Sequence, residues 1–245
     1  AALGTRAAES IVASQRQDLA AFGVTFDRWF HQHELYPDKI TDTLWLLRQR
    51  EALYEKDGAT WLKTTTAGDD EDRVVVRANG QPTYFLADIA YHLDKYRRGY
   101  TKAIDILGPD HHGHQKKLYA MARLLGIPDG WLEIIISQQV NLLEGGVKVK
   151  MSKRAGHLVT MRELVDAIGP DAARFFFLMR SPSAHLDFDL DLARKQTMEN
   201  PVYYVQYCHA RVESIKRDGP PVQSDFDACA LALPEERLLA RTIWE

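Results

Sequence analysis

Hydrophobic residues recur along the chain at spacings that predict helices alternating with short strands. Apolar positions three and four residues apart predict helices at residues 5–22, 39–56, 84–98, 114–125, 162–169, 171–180 and 190–217, and another near the last residues. Short apolar or alternating runs predict strands at residues 24–30, 59–65, 73–78, 103–108 and 131–140. Gly23 and the pair Asp57-Gly58 are interpreted as helix ends, and Asn79-Gly80 as a turn.

The strand–helix–strand order of residues 84–140 predicts an α/β fold with a parallel, doubly wound sheet. Such sheets bind ligands at the carboxyl ends of their strands, where a loop leads into the next helix. The segment DHHGH, residues 110–114, follows the strand at 103–108, and KMSKR, residues 150–154, lies beyond the strand at 131–140. These two segments are therefore the first candidates for a ligand site.

Composition limits the classes of protein to consider. The chain has 245 residues, of which 45% are hydrophobic and 27% charged, so it can bury a proper core. It contains no run of roughly 18 apolar residues and no secretory signal pattern, so we expect no membrane association. Its only cysteines, Cys208 and Cys229, lack C-x-x-C spacing, which favours a reducing, cytoplasmic location and disfavours structural zinc. The net charge of −3 argues against a protein that binds nucleic acid over its whole surface, but one face could still be basic.

The segment KMSKRAG combines cations with conformational freedom. Lys150 and Lys153 flank a serine, and Gly146 and Gly156 stand on either side. Such a loop can close over a polyphosphate and neutralise the charge that develops as pyrophosphate leaves. Taken alone, the string is explained equally well as an ordinary surface segment.

Histidines cluster at residues 110–117, DHHGHQKK. His111, Gly113 and His114 spell H-x-G-H, the pattern with which one large class of ATP-using enzymes binds phosphates. A second interpretation is that His111 and His114 only cap and pack. We predict no metal here, because neighbouring histidines rarely point the same way and no carboxylate or cysteine completes a ligand set.

Tyr84 and Asp88 are four residues apart on a predicted helix and hence share one face. A carboxylate beside an aromatic hydroxyl suits a guanidinium group, which forms planar, charge-assisted pairs. The alternative is that Asp88 stabilises the helix start while Tyr84 packs in the core.

Residues 149–212 resemble class I aminoacyl-tRNA synthetases, and among them the arginyl-tRNA synthetases. Three stretches carry the likeness to the arginine branch: DAARFFFLMRSP, HLDFDLDLA and NPVYYVQYCHARV. PTYFLADIAYHLDKYRRG, DILGPDHHGH and FDRWFHQHELY extend it over nearly the whole chain. Within this family the H-x-G-H signature lies on the first strand of the nucleotide fold, so the resemblance implies that HHGH matches it by coincidence. It also implies a fragment that lacks the signature and is incomplete for catalysis alone.

The resemblance implies an arginine–tRNA ligase that activates L-arginine with ATP, accompanied by Mg²⁺, and transfers it to tRNA(Arg). It implies a cytoplasmic monomer with no membrane partner. An alternative is a non-catalytic module, derived from a synthetase, that binds RNA or protein. The resemblance further implies that residues 1–190 are the second half of the catalytic domain, with an inserted segment at 1–70 and the lysine loop at 148–156. Residues 191–245 would then begin a helical anticodon-binding domain.

Individual roles follow from the same resemblance. Tyr84 and Asp88 would hold the arginine side chain, and His112 would contact bound arginine. Lys153, assisted by Lys150, would stabilise the reacting phosphate. The ATP-binding loop would comprise Lys150, Met151, Ser152, Lys153 and Arg154. Many relatives have serine where Arg154 stands, which leaves its role open.

Three further groups have ordinary explanations beside functional ones. The basic residues Lys95, Arg97, Arg98 and Lys102 are expected to form a solvated face. The tyrosines Tyr203, Tyr204 and Tyr207 could stack on RNA bases, or they could pack in the core or at a domain junction. The acidic residues Asp187, Asp189 and Asp191 are expected to cap a helix rather than bind a metal.

Overall fold

The computed structural model describes residues 2–149, 160–219 and 233–244. The chain forms two compact units, Ala1–Arg194 and Lys195–Glu245. Helices and small sheets occur together in the first unit, which confirms the mixed α/β class. The predicted domains, 1–190 and 191–245, are assignments of function and stay predictions. Of the lysine loop predicted at residues 148–156, residues 150–156 lie outside the described residues.

Helices make up most of the described secondary structure. The α-helices are α1 (Ala2–Ala21), α2 (Asp38–Gln49), α3 (Tyr84–Arg97), α4 (Gln115–Leu124), α5 (Met161–Ile168), α6 (Pro170–Leu178), α7 (Leu190–Arg194), α8 (Pro201–Asp218) and α9 (Pro234–Trp244). Short 3₁₀ helices span Gln32–Leu35, Thr64–Ala67 and Pro109–His114. The strands are β1 (Leu53–Lys56), β2 (Ala59–Leu62), β3 (Arg73–Val76), β4 (Ala103–Leu107), β5 (Leu132–Ile136), β6 (Val140–Glu144), β7 (Val147–Lys148) and β8 (Leu186–Asp189).

The described strands form three small sheets. β1, β2 and β3 form an antiparallel sheet in that order. β4 pairs in parallel with β5, and Asp105 lies opposite Ile134. β6 lies between β7, to which it is antiparallel, and β8, to which it is parallel.

Helix α3 packs at the centre of the first unit. Leu86 and Ile89 on its inner face are fully buried, in one hydrophobic cluster with Leu47 of α2 and Val75 of β3. Thr83 caps the helix: its Oγ1 accepts a hydrogen bond from Leu86 N at 3.3 Å, and its own N–H donates to Val75 O at 2.9 Å. The cap therefore fixes where α3 begins relative to β3.

Residues 24–30, predicted as a strand, pair with no other strand of the described chain. Phe30 instead stacks on Tyr91 of α3, with ring centroids 4.5 Å apart, and Phe26 meets Trp29 edge to face at 5.3 Å. The alternating pattern thus reflects aromatic packing of an irregular segment, and the prediction of a strand was wrong.

The predicted helix at residues 39–56 is too long. Helix α2 ends at Gln49, and Glu51 has a positive φ of 54°, which no helix accommodates. The last predicted turn of the helix is strand β1, which pairs with β2 in a hairpin. Asp57 and Gly58, with φ of 53° and 74°, form the two-residue turn of that hairpin rather than a helix end.

The predicted strand at residues 131–140 is two strands in different sheets. β5 ends at Ile136 and β6 begins at Val140. Between them Gln138 N donates a hydrogen bond to Pro182 O at 2.7 Å, which ties the bend to the segment before β8. The apolar sequence of this segment does not indicate that the chain leaves one sheet and enters another.

The predicted helix at residues 190–217 is also interrupted. α7 ends at Arg194 and α8 begins at Pro201, with Asn200 as its N-cap: Asn200 Oδ1 accepts from Val202 N at 3.0 Å. Proline has no N–H to donate to the preceding turn, so it is suited to the first position of a helix and disfavoured inside one.

Candidate functional site

A cavity of about 540 Å³ lies between α3, β4 and the start of α4. One wall is a stripe on α3, the next is the strand segment 104–107, and the third belongs to the 3₁₀ helix Pro109–His114 and α4. The α3 stripe consists of Tyr84, Asp88, Tyr91, His92 and Lys95. Because these residues are spaced three and four apart, they project from one side of the helix.

A smaller cavity of about 220 Å³ adjoins the first. Tyr84, Asp88 and Tyr91 line both cavities, and Phe30 adds an aromatic wall to the smaller one. Asp88 therefore stands where the two spaces meet. Tyr84 is 78% exposed, so the alternative that it packs in the core is wrong.

Asp88 is an acid without a partner. Within the described residues its carboxylate makes no hydrogen bond and no ion pair. The residue is exposed to the cavities, yet the protein on its other sides removes enough water to raise its pKa, since desolvation disfavours the charged form. His92 and Lys117 act in the opposite direction through their positive charges. The site thus offers an unmatched negative group to a cationic ligand.

Two histidines face Asp88 from the opposite wall. His111 and His114 line the larger cavity, and their Nδ1 atoms are 3.0 Å apart, so one ring donates a hydrogen bond to the other. Burial lowers the pKa of His114, and the charges of Lys117 and His111 lower it further. His112, carried over from the family as an arginine contact, is exposed and is not among the residues that line either cavity. Its role stays a prediction.

An ionic cluster that sequence reasoning missed joins the α3 stripe to strand β4. His92 Nε2 is 2.7 Å from Asp105 Oδ2, and Lys95 Nζ donates to Asp105 Oδ1 at 2.9 Å. These contacts hold the pKa of Asp105 at about 2, against the opposing effect of burial. The signal was available: Asp105 is the lone charged residue of the strand AIDIL, and a charge in such a strand needs a partner.

The basic run at residues 95–102 is therefore only partly the solvated face that was predicted. Lys95 lies against Asp105, and Arg98 pairs with Asp94 at 3.0 Å with both side chains mostly covered. The expectation was wrong for these two residues, because each pairs with an acidic side chain of α3 or β4 and is largely covered by the protein.

The acidic residues that follow Leu186 do not act alike. Asp189 Oδ1 accepts from Leu192 N at 3.0 Å and so caps the start of α7, as predicted. Asp187 instead accepts from the Asn141 side chain at 2.7 Å, and Asp191 accepts from Gly145 N at 2.6 Å. These two acids bind β6 and its turn rather than capping a helix.

The strands next to the lysine loop form a hairpin. β6 and β7 are joined by Gly145 and Gly146, with φ of 60° and 72°, the geometry of a tight two-residue turn. β7 ends at Lys148, just before the loop, and α5 begins after it with a capping box of Thr160 and Glu163. Both flanks of the loop are thus anchored in regular structure.

Helix α8 of the second unit carries further candidate residues. Tyr203, Tyr204 and Tyr207 are largely exposed on α8, and Cys208 is a free, exposed thiol. In the described part of the chain, no three His, Cys, Asp or Glu side chains converge in a way that could hold a metal ion. No helix described here combines the length and the apolar character that a bilayer crossing requires.

The family model described as tRNA synthetases class I (R), catalytic domain, matches residues 5–175. The chain belongs to the arginyl-tRNA synthetases. An arginine–tRNA ligase of Elusimicrobium minutum is 48% identical over 243 residues, covering 97% of this chain and 46% of the relative. Another, from Geobacillus thermodenitrificans, is 53% identical over 213 residues, covering 86% of this chain and 38% of the relative. The chain thus spans less than half the length of these relatives.

Solved structures agree with this assignment. A crystal structure assigned as an arginyl-tRNA synthetase of Campylobacter jejuni superposes with a TM-score of 0.82 at 38% identity, covering 89% of this chain and 47% of that one. The arginyl-tRNA synthetase of Thermus thermophilus superposes with a TM-score of 0.74 at 20% identity, covering 96% and 49%. At that lower identity the likeness concerns the fold alone. The resemblance seen in the sequence is confirmed.

Proposed function

We propose that this chain supplies the amino-acid pocket and part of the ATP site of an arginine–tRNA ligase. In the reaction, the carboxylate of L-arginine attacks the α-phosphate of ATP, giving arginyl-adenylate and releasing pyrophosphate. A terminal ribose hydroxyl of tRNA(Arg) then takes the arginyl group and AMP leaves. The observation that carries the proposal is the unpartnered carboxylate of Asp88 beside Tyr84 at the junction of two cavities.

Asp88 is assigned to the guanidinium of the substrate. A carboxylate accepts two parallel N–H bonds from a guanidinium, and a charge-assisted pair of this kind is about twice as strong as a neutral hydrogen bond. Tyr84 and Tyr91 supply aromatic surface on which the planar group can rest. A neutral analogue such as citrulline would leave the Asp88 charge desolvated and unmatched, which is the physical basis for rejecting it.

The lysine loop is assigned to ATP. Lys153 would stabilise the phosphate as pyrophosphate leaves and Lys150 would assist, whereas the role of Arg154 stays open. Strand β7 precedes this segment and helix α5 follows it. Magnesium belongs to the proposal as the counter-ion of the ATP phosphates, and we assign no residue of this chain to it.

The parallel pair β4–β5 is assigned to a larger, doubly wound sheet. Residues 104–107 of β4 line the larger cavity, so the edge of β4 that faces away from β5 is open. Ile104 and Ile106, on one face of this strand, are 53% and 69% exposed. An open edge and an exposed apolar face are what a further parallel strand with its helix would cover.

Residues 191–245 are assigned to the start of the anticodon-binding domain. The exposed tyrosines of α8 are the candidates there for contact with tRNA bases. The complete protein is proposed to act as a cytoplasmic monomer.

Asp88→Asn tests the arginine pocket. The substitution keeps the shape but removes the charge, so a full-length protein that carries this sequence should bind arginine about 10–100-fold more weakly, the range for a hydrogen bond to a charged group. Equilibrium binding of arginine measured by calorimetry gives the affinity directly. Asp129→Asn is the matched control: Asp129 is an exposed acid far along the chain from α3, paired with Arg123 at 2.9 Å.

If Asp88→Asn binds arginine as tightly as the unaltered protein, the assignment of the pocket fails. A parallel measurement concerns the loop: Lys153→Ala should lower arginine-dependent ATP–pyrophosphate exchange, assayed with tRNA present, much more than arginine affinity. Exchange activity in the isolated chain would contradict the proposal that it holds only part of the ATP site.

A further inference from the structure

In the ionic cluster of His92, Lys95 and Asp105, the buried ring of His92 has a hydrogen-bond acceptor at each of its two nitrogens. Nδ1 lies 2.7 Å from the backbone oxygen of Asp88, and Nε2 lies 2.7 Å from Asp105 Oδ2. His92 is only 5% exposed, so water does not replace either partner. The ring therefore connects the turn of α3 that carries Asp88 to strand β4.

The two contacts decide the protonation of the ring. A backbone carbonyl can only accept, so Nδ1 must carry a hydrogen. Asp105 Oδ1 accepts from Lys95 Nζ at 2.9 Å, as an ionised carboxylate does, and such a carboxylate can only accept, so Nε2 must carry one as well. A neutral ring would place a lone pair against a carboxylate or a carbonyl oxygen at 2.7 Å, which is repulsive.

We propose that His92 is a positioning residue for arginine binding: its doubly protonated ring ties Asp88 to Asp105 and keeps a positive charge beside the Asp88 carboxylate. The inference rests on the proposed role of Asp88. His92 itself touches neither substrate nor nucleotide in this account, and it acts through the residue one helical turn before it.

Every charged group around the ring is consistent with this assignment. On α3 the neighbours are Asp88 and Lys95, and on β4 the neighbour is Asp105. Across the cavity stand His111 and His114 of the 3₁₀ helix and Lys117 of α4. Asp105 is shared by His92 and Lys95, so the cluster of three carries one net positive charge. That charge favours the ionised form of Asp88, which partial desolvation disfavours.

His92→Gln tests the inference in the full-length protein. Glutamine keeps a hydrogen-bond donor but carries no charge and cannot place a donor at both positions of the ring nitrogens, so arginine affinity should fall about tenfold, with little change in kcat at saturating arginine. Losing the positive charge should also raise the pKa of Asp88. Because the carboxylate must be ionised to bind a guanidinium, the acid limb of kcat/KM for arginine should move to higher pH.

A purely structural role would lower stability without moving that acid limb, so an unmoved limb overturns the inference. His185→Gln makes the same exchange at an exposed histidine of the same unit and should leave the pH profile unchanged. Asp88→Asn separates the two proposals. If Asp88→Asn binds arginine normally, the pocket assignment fails; if it loses arginine while His92→Gln keeps wild-type affinity and pH profile, only the positioning role fails.

The protonation can be measured without any variant. In protein labelled with ¹⁵N-histidine, the buried ring of His92 should show two protonated nitrogens at pH 7.5, with N–H protons protected from exchange. One unprotonated nitrogen on that ring would overturn the inference even if His92→Gln fails to fold.

Discussion

Asp105→Asn should destabilise the first unit by about 2 kcal/mol at neutral pH. Asparagine keeps the size of the side chain but removes the charge that His92 and Lys95 share at 2.7 and 2.9 Å. The variant therefore isolates the ionic contribution of the cluster from its packing.

The magnitude follows from the pKa of Asp105. The contacts lower this pKa from the usual 3.8 to about 2, and a difference of one in pKa corresponds to about 1.4 kcal/mol of preference for the ionised form. The side chain of Asp105 is 13% exposed, so solvent screens the cluster only partly. The expected loss is smaller than the roughly 3–5 kcal/mol measured when one partner of a fully buried pair is removed, because the side chains of Asp105 and Lys95 keep some exposure to solvent.

The effect has a defined dependence on pH. A carboxyl group with a lowered pKa in the folded state contributes stability that is complete above its unfolded pKa of about 3.8. This contribution is lost as the pH falls through the folded pKa of about 2. The unaltered chain and Asp105→Asn should therefore differ by a constant amount near pH 7 and should converge between pH 4 and pH 2.

Urea unfolding followed by tryptophan fluorescence at a series of pH values measures this difference. Glu133→Gln on the neighbouring strand is the matched control: its ion pair with Lys102 is about half exposed, so the change should stay within about 0.5 kcal/mol. If Asp105→Asn costs no more than Glu133→Gln at pH 7, or if its cost does not shrink in acid, the cluster does not carry the charges described here.

Two further predictions concern packing and capping. Phe188→Ala should lower the free energy of unfolding by about 3–5 kcal/mol. Phe188 is fully buried, and its ring lies 5.2 and 5.3 Å from the rings of Phe176 and Phe177. A loss below about 1 kcal/mol in urea unfolding would contradict this packing. Asn200→Ala should destabilise the start of α8 by about 1 kcal/mol, seen as faster amide exchange in its first turn. Asn200→Ser keeps a capping oxygen and should recover part of the protection, and equal exchange in both variants would argue against the cap.

The sequence predicted α3 well because every local signal agreed there. Thr83 is a good N-cap, the apolar positions keep one helical period, and Gly99 follows the last turn. The same rules failed at residues 53–56, where helical apolar spacing continued past the end of α2. Helix α2 ends before them because Glu51 has a positive φ and β1 pairs with β2. Neither feature is visible in the local pattern of apolar residues.

The residues assigned to arginine binding could be predicted from the sequence, but the ionic cluster of His92, Lys95 and Asp105 could not. Tyr84 and Asp88 follow from helical spacing together with the chemistry of a guanidinium. Continuing that spacing one more turn reaches His92, but its partner Asp105 lies on a strand 13 residues away, and pairing across elements requires the fold. A lone acid in an apolar strand indicates that some partner exists, without saying which residue it is.

Asp88 and Asp105 line the same cavity but have opposite properties. Asp105 is held by two cations and has a pKa of about 2, whereas Asp88 has no partner among the described residues and a raised pKa. Desolvation acts on both acids, so the difference arises from which of them receives the available cations. An acid that is already neutralised can organise a structure but offers little to a cationic ligand. An acid left unmatched costs free energy in the unliganded protein, and a bound guanidinium recovers that free energy. Because the nearby cations pair with Asp105, Asp88 remains the carboxylate that a cationic substrate would neutralise.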